Sequence, residues 1–138
     1  MTTARDIMHA GATCIGEHET LQHAAQQMRD LDVGSLPVCG DDDRLRGVIT
    51  DRDIVTKCIA RGVDPASVTA GEVAQGIPVT IESQADVTEV LRAMEQNQIH
   101  RLPVIESQLP VGMISQADLA RHLPESMVGQ FIEAVCAS

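Results

Sequence analysis

The chain has 138 residues, 43% of them hydrophobic, and a net charge of -10, with Phe131 as its only aromatic residue. That balance speaks against nucleic-acid binding, which uses basic stripes and aromatic stacking platforms, and it lacks the bias of a disordered segment. No apolar run approaches the roughly 18 residues of a membrane span and Met1 to Asp6 holds no apolar signal core, so the expected compartment is the cytoplasm, with neither membrane nor nucleic acid as partner.

Along the chain, Thr13-Cys14-Ile15 reads as a brief strand. Thr20 is a natural N-cap for a helix that aligns Leu21, Ala24, Ala25 and Met28, with Val33 continuing the face and Gly34 ending the helix. Leu36-Pro37-Val38-Cys39 is the next strand, at a sheet edge or with an irregular start, because Pro37 has no N–H to donate. Gly40 to Asp43 turn the chain into Gly47-Val48-Ile49, and Thr50 opens a helix carrying Ile54, Val55, Cys58 and Ile59. Arg61 to Ser67 form a short linker. The plan then repeats: strand Val79 to Ile81, helix Asp86 to about Gln98, strands Leu102 to Ile105 and Val111 to Ile114, and helix Ser115 to about His122. Beyond Pro124, the helical spacing of Met127, Val128, Phe131, Ile132 and Val135 predicts a C-terminal helix that packs on the body or on a second copy.

The repetition holds residue by residue. Thr3 to Ile7 falls on Thr69 to Val73, and Thr13 to Ile15 on Val79 to Ile81, both at an offset of 66. The offset becomes 65 at Gly47-Val48-Ile49-Thr50 and Gly112-Met113-Ile114-Ser115, after a deletion in a polar turn where no buried backbone is disturbed. Two copies are too few for a solenoid, and a unit of about 60 residues is marginal alone, so the halves are expected to form one pseudo-twofold body.

Thr50-x-x-Asp53 and Ser115-x-x-Asp118 each follow an apolar strand and open a helix, where free N–H groups face outward. A hydroxyl residue with an acid three positions on is also the spacing of a capping box. Thr3-x-x-Asp6, Thr69-x-x-Glu72 and Asp86-x-x-Glu89 share that spacing without forming obvious ligand sites. Two observations set the first pair apart. Each follows Gly and two apolar residues, and each has a Leu-Pro-Val strand some ten residues upstream.

In this combination the chain resembles the cystathionine beta-synthase (CBS) domain family over about Thr3 to Leu123. The resemblance implies an α/β (α+β) fold of two βαββα modules, packed as a pseudo-twofold pair with two clefts between them. The modules are then 1–66 with the linker and 67–124, followed by a C-terminal helix or tail over 125–138. It also implies an adenosine-containing ligand such as AMP, ADP, ATP or S-adenosylmethionine, with the hydroxyl meeting phosphate, the Asp meeting ribose hydroxyls, and backbone beside the Pro strand meeting adenine. Carried over, Thr50 and Asp53 serve one cleft, lined by Thr13 to Ile15 and Val33 to Leu36; Ser115 and Asp118 serve the other, lined by Val79, Ile81, Ile99 and Leu102. Arg52 and Arg101 are candidate phosphate partners, since guanidinium matches phosphate bidentately, with a solvated surface role as the alternative. Gln116-Ala117 replace Asp51-Arg52 in the second half, so the two clefts are electrostatically unequal.

Four cysteines without C-x-x-C spacing read as small buried hydrophobes. The family fold, however, brings Cys14 and Cys39 near each other, and a disulfide between them would close a 25-residue loop and stabilise by about 3 kcal/mol through chain entropy. Cys58 and Cys136 remain core thiols. The five histidines lack zinc-ligand spacing, so no metal is expected beyond an adventitious ion at His122, and no nucleophile-base arrangement marks an enzyme. Two readings stay open. One is a regulatory, non-enzymatic homodimer of paired modules that senses an adenosine ligand, needs no cofactor, and reports through a protein partner the sequence does not name. The other is a stress-related interaction scaffold with vestigial clefts and no nucleotide.

Overall fold

Local signals set most of the elements of the computed structural model, which describes residues 2–10, 14–74, 79–123 and 129. The chain runs α1 (Ala4–Ile7), β1 (His9–Ala10), β2 (Ile15–Gly16), α2 (Leu21–Leu31), β3 (Ser35–Cys39), β4 (Leu45–Thr50) and α3 (Asp51–Lys57), then a 3-10 turn over Ile59–Arg61. It continues through α4 (Ala70–Val73), β5 (Ile81–Glu82), α5 (Val87–Asn97), β6 (Arg101–Glu106), β7 (Leu109–Ser115) and α6 (Gln116–His122). Thr20 caps α2 by accepting the His23 N–H at 3.2 Å. The helix stops before Gly34, at Asp32, which takes the left-handed conformation with φ of 55°; Gln98 ends α5 in the same way, with φ of 52°. The expected helix after Pro124 and the start of the strand at Thr13 lie outside the described residues.

The residues divide into two compact units, Thr13–Pro78 and Met1–Ala12 with Val79–Ser138. The first unit holds a three-stranded sheet, β2-β3-β4, and the second a four-stranded sheet, β1-β7-β6-β5. Each unit has its own apolar cluster. Leu21, Met28, Leu36, Val38 and Ile49 centre the first; Val90, Met94, Leu102, Val104 and Ile114 centre the second.

Pro37 is not on an edge strand, because β3 lies between β2 and β4. Its missing N–H is tolerated because β2 pairs only from Val38 onward, so at Pro37 the strand has β4 alone beside it. Pro103 repeats the arrangement, with β5 pairing from Val104. Of the apolar residues that follow Thr50, Ile54 and Cys58 are buried in the core, whereas Val55 and Ile59 are 56% and 53% exposed.

In space the two repeats exchange their leading segments between the compact units. Helix α4, which leads the second repeat, places Ala70 and Val73 in the core of the first unit. Helix α1, which leads the first repeat, places Ala4 and Ile7 in the core of the second. Matched backbone bonds dock them: Gly71 N–H to the Glu17 carbonyl at 2.8 Å, and Arg5 N–H to the Ser83 carbonyl at 3.0 Å.

Candidate functional site

Thr50 closes β4 and Asp53 stands in the first turn of α3. Strand pairing sets Thr50 opposite Ser35, and the Asp51 N–H donates to the Gly34 carbonyl at 3.0 Å, so the pair sits beside the backbone of residues 33–36. The Thr50 N–H donates to Asp53 Oδ2 at 3.0 Å, and the Asp53 N–H donates to Thr50 Oγ1 at 3.1 Å, a reciprocal capping box. Asp53 Oδ1 lies 3.3 Å from Lys57 Nζ, and the carboxylate side chain is 22% exposed. Among the described residues the Thr50 hydroxyl donates its proton to no acceptor.

Ser115 and Asp118 have the same backbone plan and a different charge environment. The Ser115 N–H and hydroxyl both donate to Asp118 Oδ2, at 2.8 and 3.0 Å, and Arg121 Nη2 donates to Oδ1. The Asp118 side chain is only 5% exposed. Three donors therefore converge on the Asp118 carboxylate, whereas the Asp53 carboxylate receives one N–H and a partly exposed ammonium. Thr3-Asp6 and Thr69-Glu72 also close as capping boxes, so the spacing by itself encodes helix starts at all four places.

The remaining expected residues fall into three groups. Ile15, Leu36 and Leu102 have buried core side chains, so only their backbones can reach a ligand. Val33, Ile81 and Ile99 are partly buried against the cores, and Val79 is exposed. Arg52 is exposed on α3, and Arg101 is half-buried on β6 opposite Ser115; neither makes an ion pair among the described residues. Thr13 lies outside them. Cys14 and Cys39 are joined as a disulfide with Cα atoms 5.8 Å apart, and Cys58 is a buried free thiol.

Sequence reasoning did not find an open depression of about 530 Å³ in the first unit, lined by Glu17, His18, Arg46, Thr69, Gly71 and Glu72. Its signal was a mismatch in the repeat. Gly71 stands where the other copy has Arg5, whose guanidinium reaches Glu106 at 2.5 Å. Two exposed carboxyls nearby in sequence to these turns titrate low: the Thr3 N–H, then its hydroxyl, hold Asp6 below the ordinary range, and the Arg44 N–H does the same for Asp42. His122 Nδ1 donates to the Asp118 carbonyl at 2.9 Å. Among the described residues no three His, Cys, Asp or Glu side chains group as a metal site, and no helix is long and apolar enough to cross a membrane.

Two β-α-β-β-α modules in tandem, each with a Pro-bearing strand and a hydroxyl-acid box after the last strand, define the class, and the chain belongs to the CBS domain family, which it matches over residues 4–59 and 70–125. It is 55% identical over 137 residues to hypoxic response protein 1 of Mycobacterium tuberculosis, covering 99% of this chain and 96% of that one. It is also 34% identical to the uncharacterized protein YlbB of Bacillus subtilis, covering 87% and 81% of the two chains. The crystal structure of hypoxic response protein I, which holds two coordinated zinc ions, superposes with a TM-score of 0.79 at 56% identity, covering 89% of this chain and all of that one. A hexameric CBS-CP12 protein from bloom-forming cyanobacteria gives a TM-score of 0.79 at 28% identity, covering 88% and 67%.

Proposed function

We propose that this chain is a non-enzymatic regulatory module that binds an adenosine-containing ligand beside Thr50 and Asp53. The observation that carries the reading is the uncommitted chemistry of that box. A hydroxyl proton is free to meet a phosphate oxygen, and a partly exposed carboxylate has lone pairs left for two vicinal sugar hydroxyls. Arg52, which makes no ion pair among the described residues, stands one residue away for a phosphate. The backbone of residues 33–36 lies alongside, where the family pattern expects the purine. Asp118 is already satisfied by three donors, so the Ser115 box acts as a helix cap only. A homodimer in the cytoplasm, reporting to a protein partner, completes the proposal.

Thermal melting with millimolar AMP, ADP, ATP or S-adenosylmethionine tests it, because a ligand that binds the folded state raises the midpoint. At a concentration 100 times Kd the gain is about 2.7 kcal/mol. The expected outcome is a rise with at least one of them that Asp53→Ala abolishes and Asp118→Ala preserves. No rise with any, confirmed by calorimetry, leaves the interaction scaffold as the function. The zinc held by the related crystal structure makes Zn²⁺ a necessary parallel arm, although the described residues of this chain supply no ligand set for it.

A further inference from the structure

The first strand of each unit is a two-residue parallel pairing built to one register. Ile15 and Gly16 pair with Val38 and Cys39; Ile81 and Glu82 pair with Val104 and Ile105. The next amide extends each ladder in the same way, Glu17 N–H to the Cys39 carbonyl at 2.9 Å and Ser83 N–H to the Ile105 carbonyl at 3.0 Å. The two differ in one covalent bond. Cys14 and Cys39 tie β2 to β3 in the first unit, whereas Thr80 and Ile105 stand at those positions in the second.

What β2 holds in turn is the short helix α4. The Glu17 and Glu19 carbonyls accept the Gly71 and Ala70 N–H groups, both at 2.8 Å, and the Leu21 N–H donates to the Val68 carbonyl at 2.9 Å. A four-residue helix has little stability of its own, so its place depends on the segment that docks it. Release of β2 therefore releases α4 with it, as one local opening of the first unit.

We infer that the Cys14–Cys39 disulfide is a redox latch on β2 and α4, acting on the first unit alone. The switching step is thiol–disulfide exchange with a dithiol. Its thiolate attacks the sulfur of half-buried Cys14, the S–S bond breaks, and the electron pair leaves on the Cys39 sulfur. The second thiol of the reductant then displaces Cys14. The products are two cysteine thiols and one oxidised dithiol, with two electrons and two protons transferred. In a reducing compartment the latch stands open, and an oxidant closes it.

The second unit is the internal control for the experiment. Native-state amide hydrogen exchange is followed at Glu17 and Gly71, and at their repeat partners Ser83 and Arg5, with and without dithiothreitol, with reduction verified by the two-hydrogen mass gain. Exchange at Glu17 and Gly71 is expected to rise about tenfold or more on reduction while Ser83 and Arg5 keep their rates. The double variant Cys14→Ser with Cys39→Ser is expected to exchange at the reduced rates and ignore the reductant. Unchanged rates in fully reduced protein overturn the latch. So does an equal rise at all four amides, or a bridge that dithiothreitol opens only when the chain unfolds.

Discussion

At Thr50 and Asp53 the backbone turns into α3 through a box whose carboxylate receives one N–H and an ammonium 3.3 Å away. At Ser115 and Asp118 the same turn carries a buried carboxylate that receives an N–H, a hydroxyl and a guanidinium. A carboxylate offers about four lone-pair sites, so the first retains capacity for a ligand where the second has little. The comparison teaches that a duplicated motif fixes where a group stands but leaves open what it is free to do. Each carboxylate has one basic partner, Lys57 or Arg121, and the Ser115 hydroxyl, bonded to its carboxylate where the Thr50 hydroxyl is not, makes that choice.

The largest test of the two-unit comparison is Ile7→Ala. Ile7 belongs to the first repeat in sequence and to the second unit's core in space. Its truncation should cost about 2–5 kcal/mol and reduce hydrogen-exchange protection in β6 and β7 more than in β3 and β4. Loss of protection centred on β3 and β4 would break the exchange of leading helices between repeats. Gly71→Ala comes next, because a Cβ there would meet the Glu17 carbonyl oxygen at 2.8 Å. A net loss of about 1–3 kcal/mol in urea unfolding is expected, against less than about 0.5 kcal/mol for Arg5→Ala at the matching exposed position.

Asp118→Ala and Asp53→Ala sharpen the contrast between the boxes. Each removes a cap, worth about 1 kcal/mol, and the partner of one basic side chain, but only Asp118 also leaves a part-buried hydroxyl without its acceptor. Asp118→Ala should therefore be the more destabilising by about 0.5–1 kcal/mol in chemical unfolding. Equal losses would mean the two carboxylates carry equal loads.

The smallest effect is a pH dependence at Asp6. Its folded carboxyl titrates below the ordinary aspartate range because the Thr3 N–H, then its hydroxyl, holds the charged form. The depressed value means its contribution is present above the unfolded pKa and disappears as pH falls through the folded one. The difference in melting midpoint between the natural protein and Asp6→Asn should be constant above about pH 5 and shrink as pH falls through the lowered folded value.

Much of this architecture was legible along the chain. Thr20, Leu21, Ala24 and Met28 specify α2 by cap and period, and Gly-apolar-apolar before Thr50 and Ser115 marks each last strand before its helix. The Pro37 strand was left between a sheet edge and an irregular start, because edge position is a property of neighbours. Only the two-residue length of β2 shows how a proline fits a central strand. Helices α1 and α4 were hidden by their four-residue length, although the Thr3-Asp6 and Thr69-Glu72 boxes were in view.

Hydrophobic period, caps and the internal repeat act over a few residues, and so the sequence by itself determined the elements, their order and the doubled hydroxyl-acid boxes. Tertiary structure decided which core each leading helix completes, that Cys14 meets Cys39 across 25 positions, and which carboxylate is left with unfilled lone pairs. Those outcomes depend on contacts between residues distant in the chain, whose geometry no local pattern encodes.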